Sequence, residues 1–241
     1  MRLSKSKINT YLKCPLEFKY QYIDKITPEE SIYLQIGKEV HYLAEQFIYL
    51  YQENKIEDNF LKTMYDLNKK HYPETNYHDH CYNLAKFFKE TIIDKKLDVY
   101  MAEEYLMDEK HNFSGIADIV LRNPKDDTLT IIDYKTGKTR SITPYRRELC
   151  YYKMLIEELY PEENITQAGV YFTKEGDYRF LNFTDSTKKR TYCDKTEYQE
   201  YINLIDEVRF NINQGKFPPK KQFLCKYCTF SKQCQKDNIF F

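Results

Sequence analysis

The sequence has no tryptophan and only six glycines in 241 residues. It also lacks any apolar run near the roughly 18–20 residues that a membrane-spanning helix needs. Glycine scarcity bears on one motif directly. Gly137-Lys138-Thr139 looks like the end of a phosphate-binding loop, but that pattern needs a glycine five positions before Gly137, and Ile132 stands there. A nucleotide-binding loop is therefore excluded. Net charge of one sign is missing as well: 37 basic residues balance 37 acidic ones, so no global field points to a nucleic-acid partner. Local basic patches remain at Arg146-Arg147, Lys188-Lys189-Arg190 and Lys216–Lys221, and such runs are more often solvated faces than sites.

What is present fits a globular chain, with 41% hydrophobic and 31% charged residues. The opening MRLSKSKINTY has no apolar signal-peptide core, and seven cysteines without one point to a reducing, cytoplasmic setting and no membrane. Helical spacing runs through the first stretch, with Pro15 opening a new turn, again from Ile36 to about Gln52 and on to about Lys70, and, after a turn-rich patch at HYPETNYHDH, over CYNLAKFFKETIIDKK. Period-two alternation then predicts strands over VYMAEEYLMD, FSGIADIVLR, TLTIIDYK, TQAGVYFT and YRFLNF, with a helix over ELCYYKMLIEELY between the third and fourth. A last helix covers about Lys195 to Gln214, and Gly215 suits its C-cap.

Charge interrupts two of these strands. By alternation Asp118 shares a face with Ile116 and Val120, and Asp133 and Lys135 continue the face of Leu129 and Ile131. A carboxylate buried among such residues is paired, shifted in pKa or bound to a metal. Two carboxylates and an ammonium at adjacent strand ends suit a divalent cation, or a plain Asp–Lys ion pair. Glu103 or Glu104, on the preceding strand, is a further candidate. His71, His78 and His80 sit in a turn-rich patch where zinc is conceivable without paired ligands to support it. Near the end, Cys225-x2-Cys228-x5-Cys234 needs a fourth ligand, for which Cys14 is available. Four thiolates accept either zinc or a [4Fe–4S] cluster. Cys81, Cys150 and Cys193 read as buried small hydrophobes.

Gly115-x-x-Asp118 and Ile132-Asp133-Tyr134-Lys135-Thr136-Gly137-Lys138 resemble the second and third motifs of the RecB-like branch of the PD-(D/E)xK nucleases. Glu148 and Tyr152 are similar to that branch's Gln-x-x-x-Tyr, with Glu in place of Gln, and Gly37-Lys-Glu-Val-His41 resembles its first motif. The opening Ser4-x-Ser6-x-Ile8-x-x-Tyr11-x-x-Cys14-Pro15, with three later cysteines, resembles the iron–sulfur members, including the CRISPR-associated RecB-like exonucleases and AddB.

The resemblance implies an α/β fold, a central mixed sheet flanked by helices in a restriction-endonuclease-like core. A helical part spans 31–98, a nuclease core 99–214, and a cysteine-bound [4Fe–4S] cluster joins the ends 1–30 and 215–241 in a single domain. It further implies Mg²⁺ or Mn²⁺ on His41, Asp118, Asp133 and the carbonyl of Tyr134, with Lys135 as the catalytic lysine. Tyr152, Glu148, Lys138, Arg140, Arg146 and Arg147 would meet DNA, single-stranded in the first instance. The activity implied is a DNA exonuclease of CRISPR adaptation, recombination or phage replication, with protein partners to match. The alternative is an iron–sulfur DNA-binding or partner module with little nuclease activity of its own.

Overall fold

The computed structural model describes residues 1–28, 31–56, 59–185, 187 and 193–239, and for Leu224 the backbone alone. The chain opens with a two-residue strand, β1 (Leu3–Ser4), and enters α1 (Lys5–Lys13), whose N-cap Ser4 accepts a hydrogen bond from the Lys7 amide. Cys14 ends α1 in an extended conformation, and Pro15 then opens α2 (Pro15–Phe18), followed by a π turn over Lys19–Ile23. The helical part comprises α3 (Ile32–Gln52), α4 (Phe60–His71) and α5 (His78–Phe87), which runs into a second π turn at Phe88–Ile93. Here α3 starts a turn earlier than its apolar spacing predicts. Its first residues, Ile32, Tyr33 and Leu34, are exposed and so give no amphipathic signal.

Strands β2 (Asp98–Asp108), β3 (Phe113–Asn123) and β4 (Thr128–Lys135) form a meander. A 3₁₀ turn at Thr143–Tyr145 leads into α6 (Arg146–Leu159), which crosses over to β5 (Asn164–Phe172), parallel to β4. The antiparallel β6 (Asp177–Asn182) completes a mixed six-stranded sheet. After α7 (Lys195–Asn213), Gly215 takes a left-handed φ of 66°, which glycine reaches without a Cβ clash. A 3₁₀ turn at Phe223–Tyr227 and α8 (Ser231–Lys236) follow. No described helix is long and apolar enough to cross a membrane.

Each face of the sheet carries its own core. Val40, Phe47, Leu84 and Phe88 from the helical part pack on Ile119, Leu121, Ile132 and Tyr134. On the other face Ile8, Leu155, Ile156 and Ile205 pack on Ala117, Val120, Leu129 and Ile131. Helices therefore flank the mixed sheet, as the resemblance implies.

Two departures from regular strands make the site. One edge of β3 is taken by β2 along its length, so β1 and β4 share the other edge. There β1 pairs in parallel at Phe113 and Ser114, and β4 pairs only from Ile119 onward. Residues 115–118 are left in a fork between them. The second departure lies opposite, where Glu103 in β2 has a φ of 48°, a left-handed strain for a side chain that is not glycine. Alternation slips at the same level: Ala117 belongs to one core and Ile119 to the other, although they are two apart. Ile116, expected beside Asp118 in the interior, is 48% exposed instead.

Candidate active site

The fork collects charge from six elements, α1, α3, β2, β3, β4 and α6. His41, on the third turn of α3, donates from Nε2 to the Tyr134 carbonyl at 3.0 Å. That bond commits Nε2 as the donor and turns Nδ1 inward, 3.5 Å from Asp118 Oδ2 and 3.8 Å from Glu103 Oε1. Asp118 Oδ2 also accepts the Tyr134 amide at 2.6 Å, so the backbone of Tyr134 orients both side chains. Glu103 Oε1 is buried and has no hydrogen-bond partner. One ligand atom from each of His41, Glu103 and Asp118 lies within 4.8 Å of the others. An imidazole nitrogen and two carboxylates, one of them unpartnered, fit a divalent cation.

Asp133 and Lys135 stand beside this group, on the strand end that has left β3. Asp133 is buried and contacts Lys135 through Oδ2 and Lys5 Nζ through Oδ1, the latter at 3.3 Å. Glu148, in the first turn of α6, meets Lys135 and Lys5 at 3.5 Å each. Burial would raise the Asp133 pKa, but Lys135 and Lys5 hold it well below the usual carboxylate range. Burial would likewise lower the lysines, and Asp133 and Glu148 outweigh it, so both stay charged. For His41, burial opposes the charge while Asp118 and Glu103 favour it, holding the imidazole up at about 10. Burial raises Glu103, the carboxylate without a bond of its own.

The expected residues divide accordingly. His41, Asp118, Asp133 and Lys135 converge on the fork. The Tyr134 carbonyl, expected to face a cation, accepts from His41 instead. Of the two glutamates on β2, Glu103 is in the site and Glu104 is exposed. Glu148 faces Lys5 and Lys135 and accepts from Asn9 at 2.8 Å, so its charge is answered within the protein. Tyr152 is 2% exposed beneath Lys5 Nζ, with no ring face open to a base. It presses on Gly115, where an added Cβ would come within 3.2 Å of Tyr152 and of Leu155. Arg146 pairs with Glu197 of α7 and Arg147 donates to Asn9, while Lys138 and Arg140 are exposed beyond β4. Lys188-Lys189-Arg190 lies outside the described residues. His71, His78 and His80 do not converge: His71 packs on Tyr42, His78 stacks on Tyr65, and His80 bonds Thr173. Lys5 carried no signal in the sequence beyond its place at the start of a helix.

Cys14, Cys225, Cys228 and Cys234 line one cavity of about 230 Å³, with Leu16, Tyr20 and Phe230 among its walls. The chain ends are joined around it. Tyr11 donates to the Lys216 carbonyl at 2.6 Å, Lys220 to that of Leu12 at 3.1 Å, and Tyr20 to Asp237 at 2.5 Å. Burial, then the neighbouring thiols, raises the Cys234 pKa. Four sulfurs converging in an apolar-walled cavity fit a metal or cluster.

No curated protein matches the sequence. Among solved structures, a candidate exonuclease from Eubacterium rectale superposes with a TM-score of 0.51 at 11% identity, covering 94% of this chain and 86% of that one. That likeness is one of fold. The profile of the PD-(D/E)XK nuclease superfamily matches residues 2–235, nearly the whole chain, and the protein belongs to that superfamily.

Proposed function

We propose that the protein is a metal-dependent DNA exonuclease of the RecB-like branch, with a [4Fe–4S] cluster closing its termini. The observation that carries this reading is the convergence of His41, Glu103 and Asp118 around the orphaned Glu103 Oε1, beside a lysine at the end of a split strand. His41 Nδ1, Glu103 and Asp118 would hold Mg²⁺ or Mn²⁺, with Asp133 alongside. When bound, the ion supplies an acidified water and neutralises charge on the scissile phosphate. Lys135 orients the attacking water and answers the negative charge that develops at phosphorus. Tyr134 keeps its role through the backbone, fixing the imidazole and Asp118 with its carbonyl and amide.

The mouth of the fork supports a single strand as substrate. Gly37 of α3 approaches Thr136, at 3.9 Å from its virtual Cβ, so the start of α3 faces the loop after β4. Tyr33 is 80% exposed on that first turn, and Lys138 and Arg140 are exposed on the loop. An exposed aromatic and exposed basic residues on these two neighbouring segments suit a strand with unstacked bases. The exonuclease character and the CRISPR or recombination setting rest on the resemblance.

The four cysteines lining one cavity support a bound metal or cluster. The choice of a [4Fe–4S] cluster over zinc rests on the resemblance. Incubating anaerobically purified protein and Mn²⁺ or Mg²⁺ with linear and with circular single-stranded DNA tests the activity. Loss of the linear form alone is expected, and cutting of circles would make it an endonuclease. Iron and sulfide analysis of the same sample should give four of each per chain, and zinc in their place would remove the cluster.

A further inference from the structure

The cation at the fork that neither the motifs nor their spacing foretold is Lys5. Its side chain is 16% exposed, and its ammonium lies 3.3 Å from Asp133 Oδ1, 3.5 Å from Glu148 Oε2 and 4.4 Å from the centre of the Tyr152 ring. Lys135 takes the other oxygen of Asp133 and the same oxygen of Glu148. Two ammonium groups thus bridge two carboxylates on the side of the fork away from His41. The aromatic face below Lys5 adds an attraction for a cation, and nothing else for that cation to do is apparent.

Charge balance gives this arrangement a meaning. The fork holds four carboxylates, Glu103, Asp118, Asp133 and Glu148, against Lys5 and Lys135. With His41 a neutral ligand, two negative charges remain, which one divalent ion cancels. Two-metal phosphodiesterases place the second ion roughly 3.5–4 Å from the first, where it must share a carboxylate. The carboxylate next in line is Asp133, and both of its oxygens are already on lysines. Removing Lys5 would leave Asp133 and Glu148 with a deficit that a second cation could meet.

We propose that Lys5 stands in for a second metal ion, so that the centre is built for one divalent cation, at His41, Glu103 and Asp118, with the Lys5 ammonium fixing Asp133 and Glu148. The inference rests on the metal-centre reading above. Lys5 is a positioning residue in this scheme, acting through the two carboxylates it joins.

The test counts ions, with no substrate present. Mn²⁺ is titrated into the anaerobically purified full chain, and the bound fraction is read by calorimetry and by the electron paramagnetic resonance of the free ion. Wild type should bind one Mn²⁺ per chain, and Asp118→Asn should lose it. Lys5→Met should take up a second Mn²⁺, and Lys5→Arg should return to one. Two ions on wild type, or a single ion on folded Lys5→Met, would overturn the role of Lys5 while leaving the metal centre standing. No Mn²⁺ on wild type would overturn the metal-centre reading, and this inference with it. Lys5→Gln, a second neutral variant of similar length, should likewise take up two ions, so the role of Lys5 can still be read should Lys5→Met fail to fold.

Discussion

The fork and the cysteine cavity lie at the two ends of one short helix, and they are held in opposite ways. Lys5 begins α1 in the fork, and Cys14 caps its other end in the cavity. Nine helical residues span about 14 Å. In the fork nearly every charge is answered by the protein itself, with Asp133 between two lysines and His41 against two carboxylates. In the cavity four cysteines line one largely apolar space, and the surrounding hydrogen bonds join chain ends some two hundred residues apart. A site of the first kind survives loss of its metal as a folded structure. A site of the second kind depends on its ligand to stay closed. On the proposed reading, metal at the fork would be an instrument of chemistry, and metal at the cavity a part of the fold.

Breaking the cavity should have the largest effect on stability. Cys14→Ser should lose the cluster and destabilise the protein by on the order of 5 kcal/mol, the loop-closure value for a cross-link spanning a hundred residues or more. Because α1 carries Lys5 at its other end, weakened Mn²⁺ binding should accompany the lower melting temperature. Breaking the fork should do the reverse. Lys135→Ala should cost about 10²–10³ in cleavage rate, equivalent to about 3–4 kcal/mol at the transition state. Its melting temperature should change little, since Lys5 still answers Asp133.

A third prediction concerns how the fork is supported from behind. His80 is buried and bonds Thr173, which in turn donates its amide and hydroxyl to the Lys135 carbonyl. Burial, then the Lys174 ammonium, pushes the His80 imidazole down to about 4. The unfolded chain therefore binds this proton near pH 6.5 while the folded protein refuses it. Stability is full above pH 6.5 and falls as pH drops toward 4, by up to about 3 kcal/mol. Denaturant unfolding across that range should show the decline, and His80→Gln should flatten it. The smallest effect on stability is expected at Glu103. Glu103→Gly relieves a left-handed φ of 48°, so stability should hold or rise by up to about 1 kcal/mol. Mn²⁺ affinity should drop at least tenfold, measured on the same sample. A loss of stability instead would mean that Glu103 serves the fold and not the metal.

The sequence made one half of this comparison more legible than the other. Four cysteines and a charged strand are unusual compositions, and they mark their places without any knowledge of the fold. The sheet was legible for the same reason, because β2 to β6 alternate with period two over six or more residues. Leu3–Ser4 is too short to alternate, so β1 read as helix, and with it the fork was hidden. Lys5 is 128 positions from Asp133, and a lysine on the first turn of a polar helix looks like any solvated one. Glu103 could not be told from Glu104, because the left-handed turn that selects it has no glycine or asparagine to announce it. Glu148 stands where the resemblance has Gln, and nothing in the sequence shows the two lysines set against it.

The most direct test of the account is cleavage of end-labelled single-stranded DNA by anaerobically purified wild type, Asp118→Asn and Lys135→Ala, each with and without Mn²⁺. The account predicts metal-dependent loss of label by wild type and none above background by either variant, at closely matched melting temperatures. Equal cleavage by Lys135→Ala, or none by folded, cluster-loaded wild type, would contradict it.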